Sequence, residues 1–231
     1  MLQNLLIGAS GLLGRHLSFN LETLRPSSSE LNILDISSVS SYFRKNRDIE
    51  RVILSAAYTN VAMANSDKQS AFNLNVVGVC NVLNVISKFA YYKPTLFYIS
   101  TDYVFDGENG PYRTTDPINP VPNNYYAMTK ALGESAARSY DKSSIIRTSF
   151  CQTGSWPFEF AFTDQYTSRD TVNIIAPMIS KIVDANRVGI YHVGTERKSV
   201  FDLAKRLSPN VKPISRLSIK NVNIPRDTSL I

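Results

Sequence analysis

The sequence predicts an α/β chain built on a doubly wound parallel sheet, and three observations carry that prediction. Short apolar runs alternate with segments whose apolar residues recur at helical spacing, a glycine-rich turn separates the first run from the first such segment, and the pattern changes after about Phe150. The first run, residues 2–7, reads as a strand and residues 12–21 as the helix that follows it, the opening of a βαβ unit. Further strands are expected over 51–56, 95–100 and 144–148, with helices over 67–89 and 125–140 between them. Strands in this alternation form a parallel sheet covered on both faces, so residues 1–150 read as a Rossmann-like nucleotide-binding domain. Residues 151–231 read as a reduced substrate-binding cap interleaved with it. Within that region a helix fits 175–183, a strand 189–193 and a short helix 200–207, and the proline-punctuated tail from Ser208 reads as irregular or edge-paired.

Composition narrows the function classes. A hydrophobic fraction of 43% and a charged fraction of 19% over 231 residues describe a chain that buries a substantial core. No apolar run near the 18–20 residues of a membrane span stands out, and residue 1 leads directly into a strand, so a cytoplasmic protein without a membrane partner is expected. Cys80 and Cys151 are too few for a disulfide framework and read as buried reduced thiols, and no metal-ligand spacing occurs. The net charge of +6 would suit nucleic acid, but the basic residues are scattered and the densest group, residues 44–47, falls in a helix tail. A mild positive field equally suits capture of an anionic dinucleotide.

Gly8, Ser10, Gly11, Leu12, Leu13 and Gly14 lie in a GxxGxxG turn between the first strand and the expected helix. Glycines there let backbone N–H groups approach a pyrophosphate and let helix pack on strand, with a helix N-terminus adding positive dipole. The occupant this implies is NADPH or NADH. Arg25, near the end of the second strand, is the candidate for a 2′-phosphate and so leans the choice toward NADPH, while Asp35, beside Ile36, is a candidate for the adenine amino group or for an N-cap.

Tyr126 and Lys130 stand four residues apart, on one face of the expected helix. When hydride reaches a carbonyl carbon, the oxygen needs a proton; a tyrosine can give it, and a neighbouring ammonium would lower the phenol's pKa toward working pH. Ser100, Thr101 and Asp102 follow the strand 95–100, at the carboxyl end of the sheet where ligands of such folds bind. A hydroxyl there can hold the carbonyl against the tyrosine.

Together the motifs resemble the extended short-chain dehydrogenase/reductases, and within them the dTDP-4-dehydrorhamnose reductase family. The resemblance rests on GASGLLG at 8–14, LNILD at 31–35, AAYTNV at 56–61, NLNV at 73–76, STDYVFDG at 100–107, YAMTK at 126–130 and RTSF at 147–150, with weaker echoes at 164–166, 189–193 and 225–230. It implies a catalytic set of Thr101, Tyr126 and Lys130 and hydride delivery to C4 of a dTDP-4-keto-6-deoxyhexose. It also implies cofactor contacts from Ala56, Ala57, Tyr58 and Asn75, substrate contacts from Asp102, Tyr103 and Phe150, and a homodimer. Departures accompany it. Ala62-Met63-Ala64-Asn65 stands where the family carries acids, Phe150 replaces a tryptophan, Arg15-His16 replaces an acid tied to magnesium, the stretch 150–164 is short, and the family pattern would add a closing helix beyond Ile231. Two other readings stay open. One is a sugar-nucleotide epimerase or epimerase/reductase, against which stands the lack of a second Cys/His acid–base pair. The other is a non-catalytic NADP-binding subunit like that of methionine adenosyltransferase, against which stands the retention of all three catalytic residues.

Overall fold

The computed structural model describes residues 1–88, 93–219 and 224–231. Its centre is a six-stranded, wholly parallel sheet. In chain order the strands are β1 (Gln3–Ile7), β2 (Thr23–Leu24), β3 (Ile49–Leu54), β4 (Thr95–Thr101), β5 (Ser143–Thr148) and β6 (Gly189–Val193). In space they run β6-β5-β4-β3-β1-β2, so the winding reverses between β1 and β3. An apolar run without polar alternation is what such strands need, because both faces are covered. Leu5, Val52, Leu54, Leu96, Tyr98 and Ile145 enter one core, while Leu6, Ile53, Phe97, Ile99 and Ile146 enter the other.

The first core is closed by helices α1 (Ile36–Lys45), α2 (Lys68–Lys88) and α3 (Tyr125–Arg138), and the second by α4 (Val172–Asp184). A short helix α5 (Val200–Leu207) opens with a capping box between Ser199 and Asp202. The remaining strands after Phe150 form three two-stranded pairs, among them Lys212–Ile214 with Phe160–Phe162, which places part of the tail in an edge pairing. β6 and α4 meanwhile belong to the main sheet and its cover, so the chain after residue 150 is interwoven with the first part.

The strands expected over 51–56, 95–100, 144–148 and 189–193 and the helices over 125–140, 175–183 and 200–207 are present within a few residues. Several expectations are corrected. Residues 12–21 form a series of turns and no helix. Arg15 N and Leu17 N still bond the Gly11 and Leu13 carbonyls, but the N–H groups of Ser18 and Asn20 are taken by the side chains of Ser180 and Asp184 and the carbonyls of Gly14 and Leu17 by Arg25, so the ladder does not extend beyond one turn. Leu13 and Leu17 still fill the second core from this turn. The helix expected over 67–89 starts on the Asp67 cap and contains a π-helical turn at Asn73–Val77; Phe89 lies outside the described residues. Contrary to the expectation that no segment has the length of a span, α2 is long and apolar enough to cross a bilayer, and its Val79, Val82, Leu83 and Ile86 are buried against the sheet. Cys80, expected in the core, is exposed on this helix, and Cys151 is half-buried.

Candidate active site

A cavity of about 580 Å³ opens along the carboxyl ends of β1, β3, β4 and β5, where the winding of the sheet reverses. At one end lie Gly8, Ser10, Gly11, Leu12 and Leu13, with Pro26, Ser28, Asn32 and Ile33 beyond them; at the other lie Thr101, Asp102, Tyr103, Tyr126, Lys130 and Phe150. Gly8 has φ +95°, and a Cβ there would sit 2.5 Å from the backbone nitrogen of Ala56, so the turn and its approach to the next strand both require glycine. Gly14 does not line the cavity. It packs directly on the Gly8 and Ala9 backbone and so keeps the turn closed. The glycine turn therefore presents bare backbone to the cavity, although no helix dipole stands behind it, and the bare backbone and the volume fit a dinucleotide.

The reactive end is buried and tightly bonded. Thr101 Oγ1 donates to Asp102 Oδ1 at 3.1 Å and accepts from the Tyr103 backbone N–H at 3.2 Å. Thr228 Oγ1, from the far end of the chain, donates to Asp102 Oδ2 at 2.8 Å. Both carboxylate oxygens thus carry a donor, while burial raises the Asp102 carboxyl above its usual range against those bonds and the nearby Arg169. On α3, Asn124 caps the first turn and sets Tyr126 and Lys130 toward the cavity. Burial raises the Tyr126 phenol well above its ordinary value, opposed by hydrogen bonding from Thr101 and by the charge of Arg169. Lys130 Nζ donates to the Ile99 carbonyl at 2.7 Å and lies 4.2 Å from the centre of the Tyr98 ring; burial pushes its pKa down to about 7, with Glu134 opposing. The expectation that Lys130 lowers the phenol is corrected here, because desolvation outweighs the neighbouring charges at both groups.

Several expected ligand residues have structural duties instead. Arg25 donates to the Gly14 carbonyl at 3.0 Å and the Leu17 carbonyl at 2.7 Å and does not line the cavity. Asp35 is the N-cap of α1, accepting from Ser37 N, and neither it nor Ile36 faces the cavity. Asn75, presented by the π-turn, accepts from Tyr58 N at 2.8 Å and donates to the Tyr58 carbonyl and to Thr129, so it fastens the loop carrying Ala56 and Ala57 to α3. Tyr58 itself is absent from the lining. Ser100 lines the cavity, but its hydroxyl donates to Glu134 at 2.7 Å, inside a buried network in which Glu134 also pairs with Arg147 at 2.7 Å. Sequence reasoning missed Ser28, Asn32, Ser149 and Arg169 as site residues; Asn32 and Ser149 fall in the runs 31–35 and 147–150 that carry the resemblance, whereas Ser28 and Arg169 fall in none.

A second cavity, of about 650 Å³, is walled by Trp156, Phe158, Phe160, Phe162 and neighbouring residues, and meets the first at Tyr103 and Arg169.

Residues 2–176 match the family described as the RmlD substrate binding domain. A dTDP-4-dehydrorhamnose reductase of Aggregatibacter actinomycetemcomitans is 32% identical over 191 residues, covering 78% of this chain and 62% of that protein. Methionine adenosyltransferase 2 subunit beta of Pongo abelii is 33% identical over 144 residues, covering 57% of this chain and 41% of that one. The chain thus spans roughly half the length of the curated relatives it matches. The crystal structure of dTDP-4-dehydrorhamnose reductase from Bacillus anthracis in complex with NADP superposes with a TM-score of 0.86 at 27% identity, covering 100% of this chain and 91% of that one. The glycine turn, the Thr101, Tyr126 and Lys130 cluster and a family match over residues 2–176 agree, and the chain belongs to the RmlD substrate binding domain family.

Proposed function

We propose that this chain is an NADPH- or NADH-dependent reductase of the 4-keto group of a nucleotide-linked 6-deoxy-4-ketohexose, working in deoxysugar synthesis. The observation that carries the reading is the convergence of Thr101, Tyr126 and Lys130 on one end of a cavity whose other end is a bare glycine turn. Relatives named as dTDP-4-dehydrorhamnose reductases support it. Ser28, Asn32 and Ile33 would receive the adenosine end, and the loop at Ala56 and Ala57 would flank the dinucleotide. The bound dinucleotide would supply the hydride.

The chain's own residues would manage the proton. A phenol whose pKa burial has raised is fully protonated at neutral pH, so Tyr126 is a loaded acid beside the incoming carbonyl oxygen. Once the proton has left, the charge of Arg169 helps to hold the phenolate. Thr101 cannot give its own hydrogen to substrate while Asp102 accepts it, so in this arrangement it would take a hydrogen bond from a substrate hydroxyl or from the phenol. Lys130, anchored on Ile99, would hold the nicotinamide ribose.

The strand pairs after Phe150 would form the substrate side of the molecule. Exposed Val77, Met128 and Leu132 on the adjoining helices α2 and α3 suit a homodimer, and two free thiols suit the cytosol.

The test mixes purified protein with NADPH and enzymatically prepared dTDP-4-keto-6-deoxyhexose and follows loss of reduced nicotinamide. Oxidation should depend on the keto-sugar, and Tyr126→Phe should lower kcat by roughly 10²–10⁴-fold while NADPH binding persists. Tight NADPH binding without turnover of dTDP-, UDP- or GDP-linked keto-sugars would instead favour the non-catalytic reading.

A further inference from the structure

Arg169 lines the cavity and, among the described residues, has no ion-pair partner, unlike four other cations of the same half of the chain. Arg147 is paired with Glu134 at 2.7 Å, Arg197 with Asp227 at 2.7 Å, and Lys198 and Arg206 share Asp170 at 3.6 and 3.3 Å. Among the described residues no carboxylate oxygen lies within 4.0 Å of Arg169. Its Nε donates to Ser149 Oγ at 2.9 Å, and the residue lines both cavities, so a ligand in either can reach the guanidinium. Asp102, whose charge acts on Arg169, has both oxygens occupied by Thr101 and Thr228.

The position is also rigid. Strand pairing of Phe150–Cys151 with Asp170–Thr171 and of Tyr166–Thr167 with Lys198–Ser199 holds the backbone on both sides, and Arg169 N donates to Thr167 Oγ1 at 3.0 Å. The cavity holding Tyr126 and Thr101 and the cavity walled by Trp156, Phe158, Phe160 and Phe162 have Arg169 and Tyr103 as their shared wall. A molecule reaching through both must therefore pass the guanidinium. Read from one end to the other, the walls offer phenol and hydroxyl groups, then a fixed cation, then an aromatic surface. A nucleoside-diphosphate sugar presents the complementary order: polar sugar, diphosphate dianion, aromatic base. A planar guanidinium with free N–H groups is matched to phosphate oxygens by geometry as well as charge.

We propose that Arg169 is a specificity-determining residue that grips the substrate's diphosphate at the junction of the two cavities, with the base seated among the aromatic side chains. This rests on the nucleotide-sugar reading above. Its test is calorimetric titration of the full chain, saturated with NADP⁺, with dTDP, UDP and GDP and with the uncharged nucleoside thymidine. At least one diphosphate should bind the wild-type protein roughly tenfold or more tighter than thymidine, since hydrogen bonds to a charged group contribute about 1.5–3 kcal/mol. In Arg169→Gln that advantage should vanish, with thymidine and NADP⁺ affinities unchanged; Arg169→Lys, which keeps the charge without the fork, should fall between. The inference alone fails if a diphosphate binds Arg169→Gln as well as wild type, or if wild type holds thymidine and dTDP equally. It fails too if the variant loses NADP⁺, for Arg169 then belongs to the dinucleotide end. If wild type binds NADP⁺ but none of the three diphosphates, the nucleotide-sugar reading falls with it. Should Arg169→Gln not fold, Arg169→Lys carries the same comparison, and an undiminished preference for the diphosphate in it overturns the inference.

Discussion

Tyr126 and Lys130 stand one helical turn apart, and burial favours the neutral form of each. For Lys130 the consequence is a stability effect with a definite sign. Its pKa falls to about 7 in the folded protein from 10.5 in the unfolded chain, so between those values the unfolded state binds more protons and stability rises with pH. Below about 7 the penalty is at its full size. Lys130→Met removes it, and chemical denaturation of both proteins from pH 6 to pH 10 should show the variant's relative advantage greatest at pH 6–7 and shrinking as pH approaches 10. The same substitution should abolish keto-sugar-dependent oxidation, so stability and activity move in opposite directions. The Tyr–Lys pair is legible in the sequence because helical spacing alone joins it. Its electrostatics are not, because desolvation is set by Tyr98, Ile99 and the sheet, which only the fold brings together.

Among the elements, the glycine turn and the missing helix behind it teach the most. Apolar Leu12, Leu13 and Leu17 imitate helical periodicity, and Leu13 and Leu17 do fill the core; the backbone, however, is held by Arg25, Ser180 and Asp184 from elsewhere in the chain. Periodicity reports which side chains are buried and says nothing of which partner satisfies each N–H and C=O. Arg25 looks like a phosphate ligand in the sequence for the same reason, since a sequence cannot show that a guanidinium is bonded to carbonyls. Arg25→Met should therefore cost about 1–2 kcal/mol by urea unfolding and leave the NADPH-to-NADH preference unchanged. A collapse of that preference would return Arg25 to the ligand role. The long central strands, by contrast, are legible to within about two residues, because a strand buried on both faces must be a continuous apolar run.

Across the whole molecule, the two halves of the chain are joined by buried polar networks that local pattern cannot reveal. Glu134 on α3 accepts from Ser100 on β4 and from Arg147 on β5, and Arg147 reaches His192 on β6 at 3.3 Å. A pair this deep is costly to break from one side. Glu134→Gln should lose about 3–5 kcal/mol, while the double variant Glu134→Leu with Arg147→Met should recover much of that loss. A double-mutant cycle of Glu134→Leu, Arg147→Met and their double, from thermal unfolding, measures the coupling, and additivity of the two single losses would show that the pair is not the structural tie described. The same long reach explains why Thr228 went unread as a neighbour of Asp102. These residues are 126 positions apart, and no spacing rule spans that distance.

The π-turn at Asn73–Val77 has a consequence in the language of insertion and deletion. Each residue of an α-helix turns the chain by about 100°, so the wide turn acts as a phase adjustment between two faces with separate duties. Asn75 must face Tyr58 and Thr129, and Val79, Val82 and Ile86 must face the sheet. Removing one residue here would leave a perfectly regular helix with one of those faces pointing away. Exposed positions along α2 can therefore drift freely in residue type, whereas the segment's length is locked.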